Sequence, residues 1–266
     1  MSYNLYYMTT QDVCAVFLCD KAYFEKFLYT CSQLVTNGRY TGPIALVVGD
    51  DLNNDPMLQH RFILQNNIMI LHFPNLQFTQ KFLHIQQHLD REPHWFRKIF
   101  QYHKLHLFNT YFKRWNYIFY LDCGLTIFDD VYPIINERKT NKLLAHSDAF
   151  PKYEWKLDHQ FIKNNPYFEV LSSKYDLTID YCQTTIMLYD TNIIQDDTFN
   201  NLYNLMNEFP ISMSNDQGII ALYFTNIKPY FEQIRINNDD TYFYDYHRRK
   251  PDSKYIMLKN PNHREG

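Results

Sequence analysis

Four aspartates stand just after apolar runs in this chain. Asp20 follows VCAVFLC, Asp50 follows IALVVG, Asp122 follows YIFYL and Asp148 follows KLLAHS. One acid at the end of a strand means little, because Asp favours turns. Four of them at the carboxyl ends of strands in one parallel sheet would share a rim, and open α/β sheets bind their ligands at that rim. Carboxylates gathered there suit a divalent cation, which wants oxygen ligands, or the hydroxyls of a sugar. SNDQGII adds Asp216 and Gln217 at a helix start, where Asp216 reads either as an N-cap or as a site residue. The tail holds one basic cluster, His247-Arg248-Arg249-Lys250, either a solvated run or a partner for an anion. His84 and His88 lie four apart, and His103 and His106 three apart. Neither pair carries the glutamate of a HExxH motif, and both read as solvent-facing or aromatic-packed histidines rather than zinc ligands.

The chain has 6 glycines in 266 residues, where average usage would give roughly 19. A chain this sparing keeps glycine for backbone reasons. Two of the six sit in DCG (Gly124) and SNDQG (Gly218), inside the polar stretches just named. Cys123, with nothing basic beside it in sequence, reads as small filler rather than a reactive thiol. Asp129 and Asp130 read as the start of a short helix.

The elements that must position these residues follow from hydrophobic periodicity. VCAVFLC is a continuous buried strand, residues 21–36 carry apolar residues at helical spacing, and IALVV is a second strand. Strand–helix–strand is the unit of a parallel sheet. Residues 57–67 and FTQKFLHIQQHL read as helices around a third strand, IMILHF. The pattern predicts a long amphipathic helix over 95–113, then strands YIFYLD and LTIF, a brief helix at VYPIINERK and a strand at KLLAHSD. Residues 150–178 read as irregular. TTIMLYD is a strand, NLYNLMNEF and DQGIIALYF are helices, and YIMLKN is a short last strand. With no internal repeat or low-complexity linker, the expectation is one α/β domain spanning 1–266.

Composition narrows the function. Hydrophobic residues make up 45% of the chain, enough for a core, and the formal charge of −3 lacks the basic excess of a nucleic-acid binder. No apolar run approaches the ~20 residues of a membrane span, and no signal peptide is evident at the N-terminus. Five irregularly spaced cysteines fit neither a zinc pattern nor a disulfide framework, so a cytoplasmic setting is expected. There is no GxGxxG and no P-loop.

Taken in order, four stretches resemble the sugar-nucleotide-dependent glycosyltransferases of the GT-A fold, within them the glycogenin-like, family-8 group. FLCDKAYFEKFLYTCSQL is similar to the first strand and helix of that family, with Asp20-Lys21-Ala22-Tyr23 in place of its Asn-Asp-Ala-Tyr turn. A lysine-bearing segment followed by IFYLDCGLTIFDDVYPI is similar to its Asp-x-Asp region. CQTTIMLY stands where the family has Phe-Asn-Ser/Thr-Gly, and SNDQGII resembles its Asp-Gln-Gly helix start. The match covers roughly residues 12–225. Two departures stand out: Asp-x-Asp is Asp122-Cys123-Gly124, without the second carboxylate, and the family's C-terminal His motif has no clean counterpart, His247 and His263 being the nearest candidates.

The resemblance implies a mostly parallel sheet flanked by helices. Residues 1–130 would bind the nucleotide-sugar, and 131–266 would supply the acceptor side and the tail. It implies a glycosyltransferase using a UDP-sugar, with a glycan or glycoprotein as acceptor; a homodimer is one assembly it allows. Asp20 and Tyr23 would meet the nucleotide base, Tyr23 otherwise being a core aromatic. Lys104, with Lys98 as rival, would contact the donor, as would Asp122, Gly124 and Asp148. Gln183, Asp216 and Gln217 would border the reacting sugar carbon. Three outcomes stay open for Mn²⁺ or Mg²⁺. Asp122 and His247 bind the metal with the diphosphate; or Arg248 and Arg249 with their neighbours replace it; or catalysis is lost, leaving a silent GT-A-like domain that binds nucleotide, glycan or a protein.

Overall fold

The computed structural model describes residues 12–89, 98–149, 152, 154–236, 242–245 and 255–259. It opens with strand β1 (Val13–Cys19), helix α1 (Phe24–Thr36) and strand β2 (Ile44–Val48). Strand β3 (Met69–His72), helix α2 (Gln80–Gln87), strand β4 (Tyr117–Leu121) and the short strand β5 (Leu125–Ile127) follow. Then come β6 (Leu143–Ser147), α3 (Pro166–Lys174) and β7 (Cys182–Asp190). The chain continues through α4 (Thr198–Glu208), α5 (Asp216–Leu222), β8 (Phe231–Gln233), β9 (Phe243–Asp245) and β10 (Met257–Lys259).

Seven strands form one sheet in the order β3-β2-β1-β4-β7-β6-β8, and β5-β10-β9 form a small second sheet. In the large sheet β7 alone runs against its neighbours, β4 and β6. The ends of β1, β2, β4 and β6 therefore share a rim, and the start of β7 joins them there. That is why Asp20, Asp50, Asp122, Asp148 and the CQTT stretch meet at one edge of the sheet.

The sheet is covered on both sides, so its strands are apolar throughout rather than alternating. All seven residues of β1 are buried. Cys14, Val16 and Leu18 belong to one core with residues of α2, α4 and α5, while Val13, Ala15 and Phe17 belong to a second core with Phe24, Phe27, Cys31 and Leu34 of α1. Among the described residues no helix is long and apolar enough to cross a membrane.

Two local expectations are corrected. Within the span 95–113, the described part is not one long helix. Tight 3-10 turns run over Ile99–Phe108, stop at Asn109 (φ −79, ψ 146) and resume over Thr110–Arg114. The Asn109 side chain accepts a hydrogen bond from the Tyr111 amide at 3.0 Å and restarts the chain in a new direction. Every residue from Tyr102 to Phe108 is buried, so this segment crosses the interior instead of lying one-sided on the surface. Within 150–178 a helix was missed: Asn165 caps α3 with Pro166 in its first turn, a start signal that the polar-aromatic composition obscured.

Candidate active site

β4 carries its side chains alternately to the two cores, and Ile118, Tyr120 and Asp122 share one face. Asp122 is held there by its backbone amide, which donates to Thr185 O at 2.8 Å. Its Oδ1 accepts from the Tyr120 hydroxyl at 2.7 Å. The buried 3-10 segment sends Lys104 to the same point. The Lys104 Nζ lies 3.1 Å from Asp122 Oδ1 and 3.1 Å from Asp216 Oδ2. It also donates to Thr184 O and Oγ1, each at 3.2 Å, and Thr184 Oγ1 in turn donates to Asp216 Oδ2 at 2.8 Å.

One ammonium thus sits between two carboxylates. Burial opposes its charge, but Asp122 and Asp216 outweigh that and hold Lys104 above the usual lysine range. Asp216 is the buried end of the trio, and burial pushes its carboxyl upward against the pull of Lys104. The Asp122 side chain is 28% exposed, against 5% for Lys104 and 3% for Asp216. Asp122 is therefore the member that meets whatever enters.

What it faces is a cavity of about 300 Å³ whose wall includes Asp20, Tyr23, Lys98, Lys104, Asp122 and Gly124. Asp20 accepts from the Tyr23 amide at 3.0 Å, which fixes the turn that opens the first helix, and burial raises its carboxyl above the ordinary range. Gly124 has φ +91, a left-handed backbone that favours glycine. Lys98 also lines the wall, but Lys104 is the lysine clamped by the two aspartates.

Behind the cavity a polar chain continues toward β6. Gln217 accepts from the Thr184 amide at 3.3 Å and donates to Gln160 Oε1 at 3.1 Å. Gln160 Nε2 lies 3.2 Å from the Tyr181 hydroxyl and 3.4 Å from Asp148 Oδ2, and Tyr181 donates to Asp148 at 2.6 Å. Gln183 is buried on β7. The cap of α5 falls on Asn215, not on Asp216. Asn215 adopts φ 52 and ψ −113, a strained conformation for a residue with a side chain. Its amide is tied to Lys98 O at 3.1 Å and Gln101 Oε1 at 2.9 Å. That strain releases the Asp216 side chain from capping and points it at Lys104. Gly218 allows the helix to approach closely: a Cβ there would lie 2.5 Å from Ser212 Oγ.

Of the expected site residues, Asp20, Tyr23, Lys104, Asp122 and Gly124 line the cavity, and Asp216 reaches it through Lys104. Gln217 and Asp148 belong to the supporting chain. His247, Arg248 and Arg249 lie outside the described residues. Asp50 is on the rim but is engaged by His72 at 2.8 Å and by the Asn75 amide at 3.0 Å. Sequence reasoning missed Tyr120, Thr184, Gln160 and Tyr181. Tyr120 had a usable signal, two residues before Asp122 on the same face of a strand.

The described residues do not fit a divalent cation. No group of three His, Cys, Asp or Glu side chains among them could hold one. Asp122 Oδ1 already serves an ammonium and a phenol, and position 124 offers no carboxylate. Elsewhere, His84 and His88 are exposed, while His103 and His106 are buried against Phe100, Phe73 and Phe199.

No protein-family model matches the chain, and no curated protein matches it. Solved structures do. The galactosyltransferase LgtC, crystallised in complex with donor and acceptor sugar analogues, aligns with a TM-score of 0.61 at 12% identity, over 93% of this chain and 87% of that one. This likeness, together with the sheet order and its one reversed central strand, shows the GT-A fold as a single α/β unit.

Proposed function

We propose that the chain is a glycosyltransferase that moves a sugar from a nucleoside-diphosphate donor, a UDP-sugar, to a hydroxyl of a glycan or protein. The observation that carries the reading is the Asp122–Lys104–Asp216 clamp in the wall of a cavity at the carboxyl rim of a GT-A sheet. Residues 1–130 supply most of the donor pocket, Thr185 joins its wall from the second half, and Asp216 supports it through Lys104. In the reaction the acceptor oxygen bonds to the anomeric carbon. The bond from that carbon to the β-phosphate oxygen breaks with its electron pair on the phosphate, and the hydroxyl proton passes to the departing diphosphate. The transition state carries positive charge on the sugar, and Asp122, the more accessible carboxylate of the clamp, stabilises it. Lys104 holds Asp122 in position and offers its ammonium to the sugar hydroxyls. Tyr23 presents a ring face to the nucleotide base.

A second reading, a GT-A domain that binds without turnover, is favoured by Gly124 at the position of the second family carboxylate. One assay separates the two: a panel of UDP-sugars with water as acceptor, measuring release of UDP. Steady release from at least one donor supports the transferase. Saturable binding with no release under any condition supports the silent domain, and neither binding nor release removes both.

A further inference from the structure

Gly124 stands where the family pattern has its second carboxylate, and its surroundings are specific. The φ of +91 is one that a side chain resists. The nearest atom to a Cβ built there is Lys26 Cδ, at 3.7 Å, so the stem of Lys26, projecting from α1, runs alongside Gly124. The Lys26 ammonium then sits 4.4 Å from the centroid of the Tyr23 ring. Tyr23 and Gly124 both line the cavity, so Lys26 packs against two residues of its wall, with its ammonium on an aromatic face. Among the described residues no carboxylate pairs with Lys26, whereas Lys104 is engaged by two.

The charge count points the same way. Among the described residues the cavity wall carries two acids, Asp20 and Asp122, and two lysines, Lys98 and Lys104. A diphosphate entering a balanced wall needs an added positive charge, above all as the leaving group gains charge. Lys26, its stem beside Gly124 and its ammonium on Tyr23, brings such a charge next to the cavity wall.

We propose that Lys26 is a donor-binding residue whose ammonium meets the donor diphosphate in place of a divalent cation, so that donor binding is independent of metal. The proposal rests on the nucleotide-sugar reading above. Lys26 on the first helix, Gly124 beyond β4 and Tyr23 form one unit: the glycine makes room for the Lys26 stem, and the ring holds the ammonium beside the cavity for the phosphates to meet.

The test is calorimetric titration of the full chain with UDP, GDP, ADP and CDP, in excess EDTA and again with Mn²⁺. The nucleotide that binds tightest is expected to bind equally well in both. Lys26→Ala should weaken it about tenfold, the size of one charge-assisted hydrogen bond. The same variant should leave binding of the parent nucleoside unchanged, and Lys26→Arg should restore the diphosphate. Because Lys26 is half-buried at the surface, a melting curve matching the wild type checks that the variant folds. Binding that appears only with Mn²⁺, or a Lys26→Ala that binds the diphosphate as the wild type does, overturns the proposal and leaves the transferase reading standing. Binding of no nucleotide in either condition overturns both.

Discussion

His103 and Lys104 are neighbours on the same buried 3-10 segment, 2% and 4% exposed, yet burial gives them opposite fates. Lys104 points to the cavity, meets two carboxylates and stays charged. His103, which is absent from the cavity wall, stacks on Phe100 at 4.8 Å and lies against His106. Burial, with His106 adding to it, pushes the His103 imidazole down to about 3, and burial pushes His106 down to about 4. Desolvation disfavours charge at both places, and only the partners differ. A buried titratable side chain becomes a site when an opposite charge holds its ionised form at a cavity; without one it becomes a neutral ring in the core.

Breaking the charged side should give the largest effect. Lys104→Met leaves Asp122 and Asp216 facing each other without a cation. It should lower donor turnover about a hundredfold or more and cost on the order of 3 kcal/mol in urea denaturation. Adding Asp216→Asn to Lys104→Met should return part of the stability and none of the turnover. A Lys104→Met that keeps both would show the clamp to be incidental.

The neutral side should show itself in acid. Both histidines have folded values below the ~6.5 of the unfolded chain, so the unfolded chain binds more protons as pH falls. Their contribution is fully present above about pH 6.5 and is lost as pH drops through that value toward the depressed folded ones. His103→Phe should flatten this limb in denaturation measured against pH. Lys104 acts in the other direction: its contribution is present below ~10.4 and disappears only as pH rises beyond it. An acid limb unchanged by His103→Phe would contradict the assignment.

Much of this architecture was legible from residue patterns. The continuous apolar runs read as buried strands, and the aspartates at their ends fell on one rim because the parallel strands run the same way. Asp122 and Gly124 stood out through the scarcity of glycine. Other parts lay beyond pattern reasoning. In the ladder between β6 and β7, Ala145 pairs with Met187, so regular pairing would set Thr185 opposite Ser147; Cys182 stands there instead. Thr184, which contacts Lys104 and Asp216, lies within that irregular stretch, and a slip in register leaves no trace in an apolar strand pattern. The 3-10 segment was similarly opaque, since a run buried on all sides has no face to reveal its period. Lys26 was hidden because its role depends on a glycine 98 positions away, a separation read directly from their numbers.

On this reading the Asp122–Lys104–Asp216 clamp lies against the sugar of a nucleotide donor. A crystal structure with a non-hydrolysable UDP-sugar analogue tests it most directly. The sugar hydroxyls should lie within hydrogen-bond distance of Asp122 and Lys104, with the base beside Tyr23. An analogue seated away from this cavity, or none bound at saturating concentration, would contradict it.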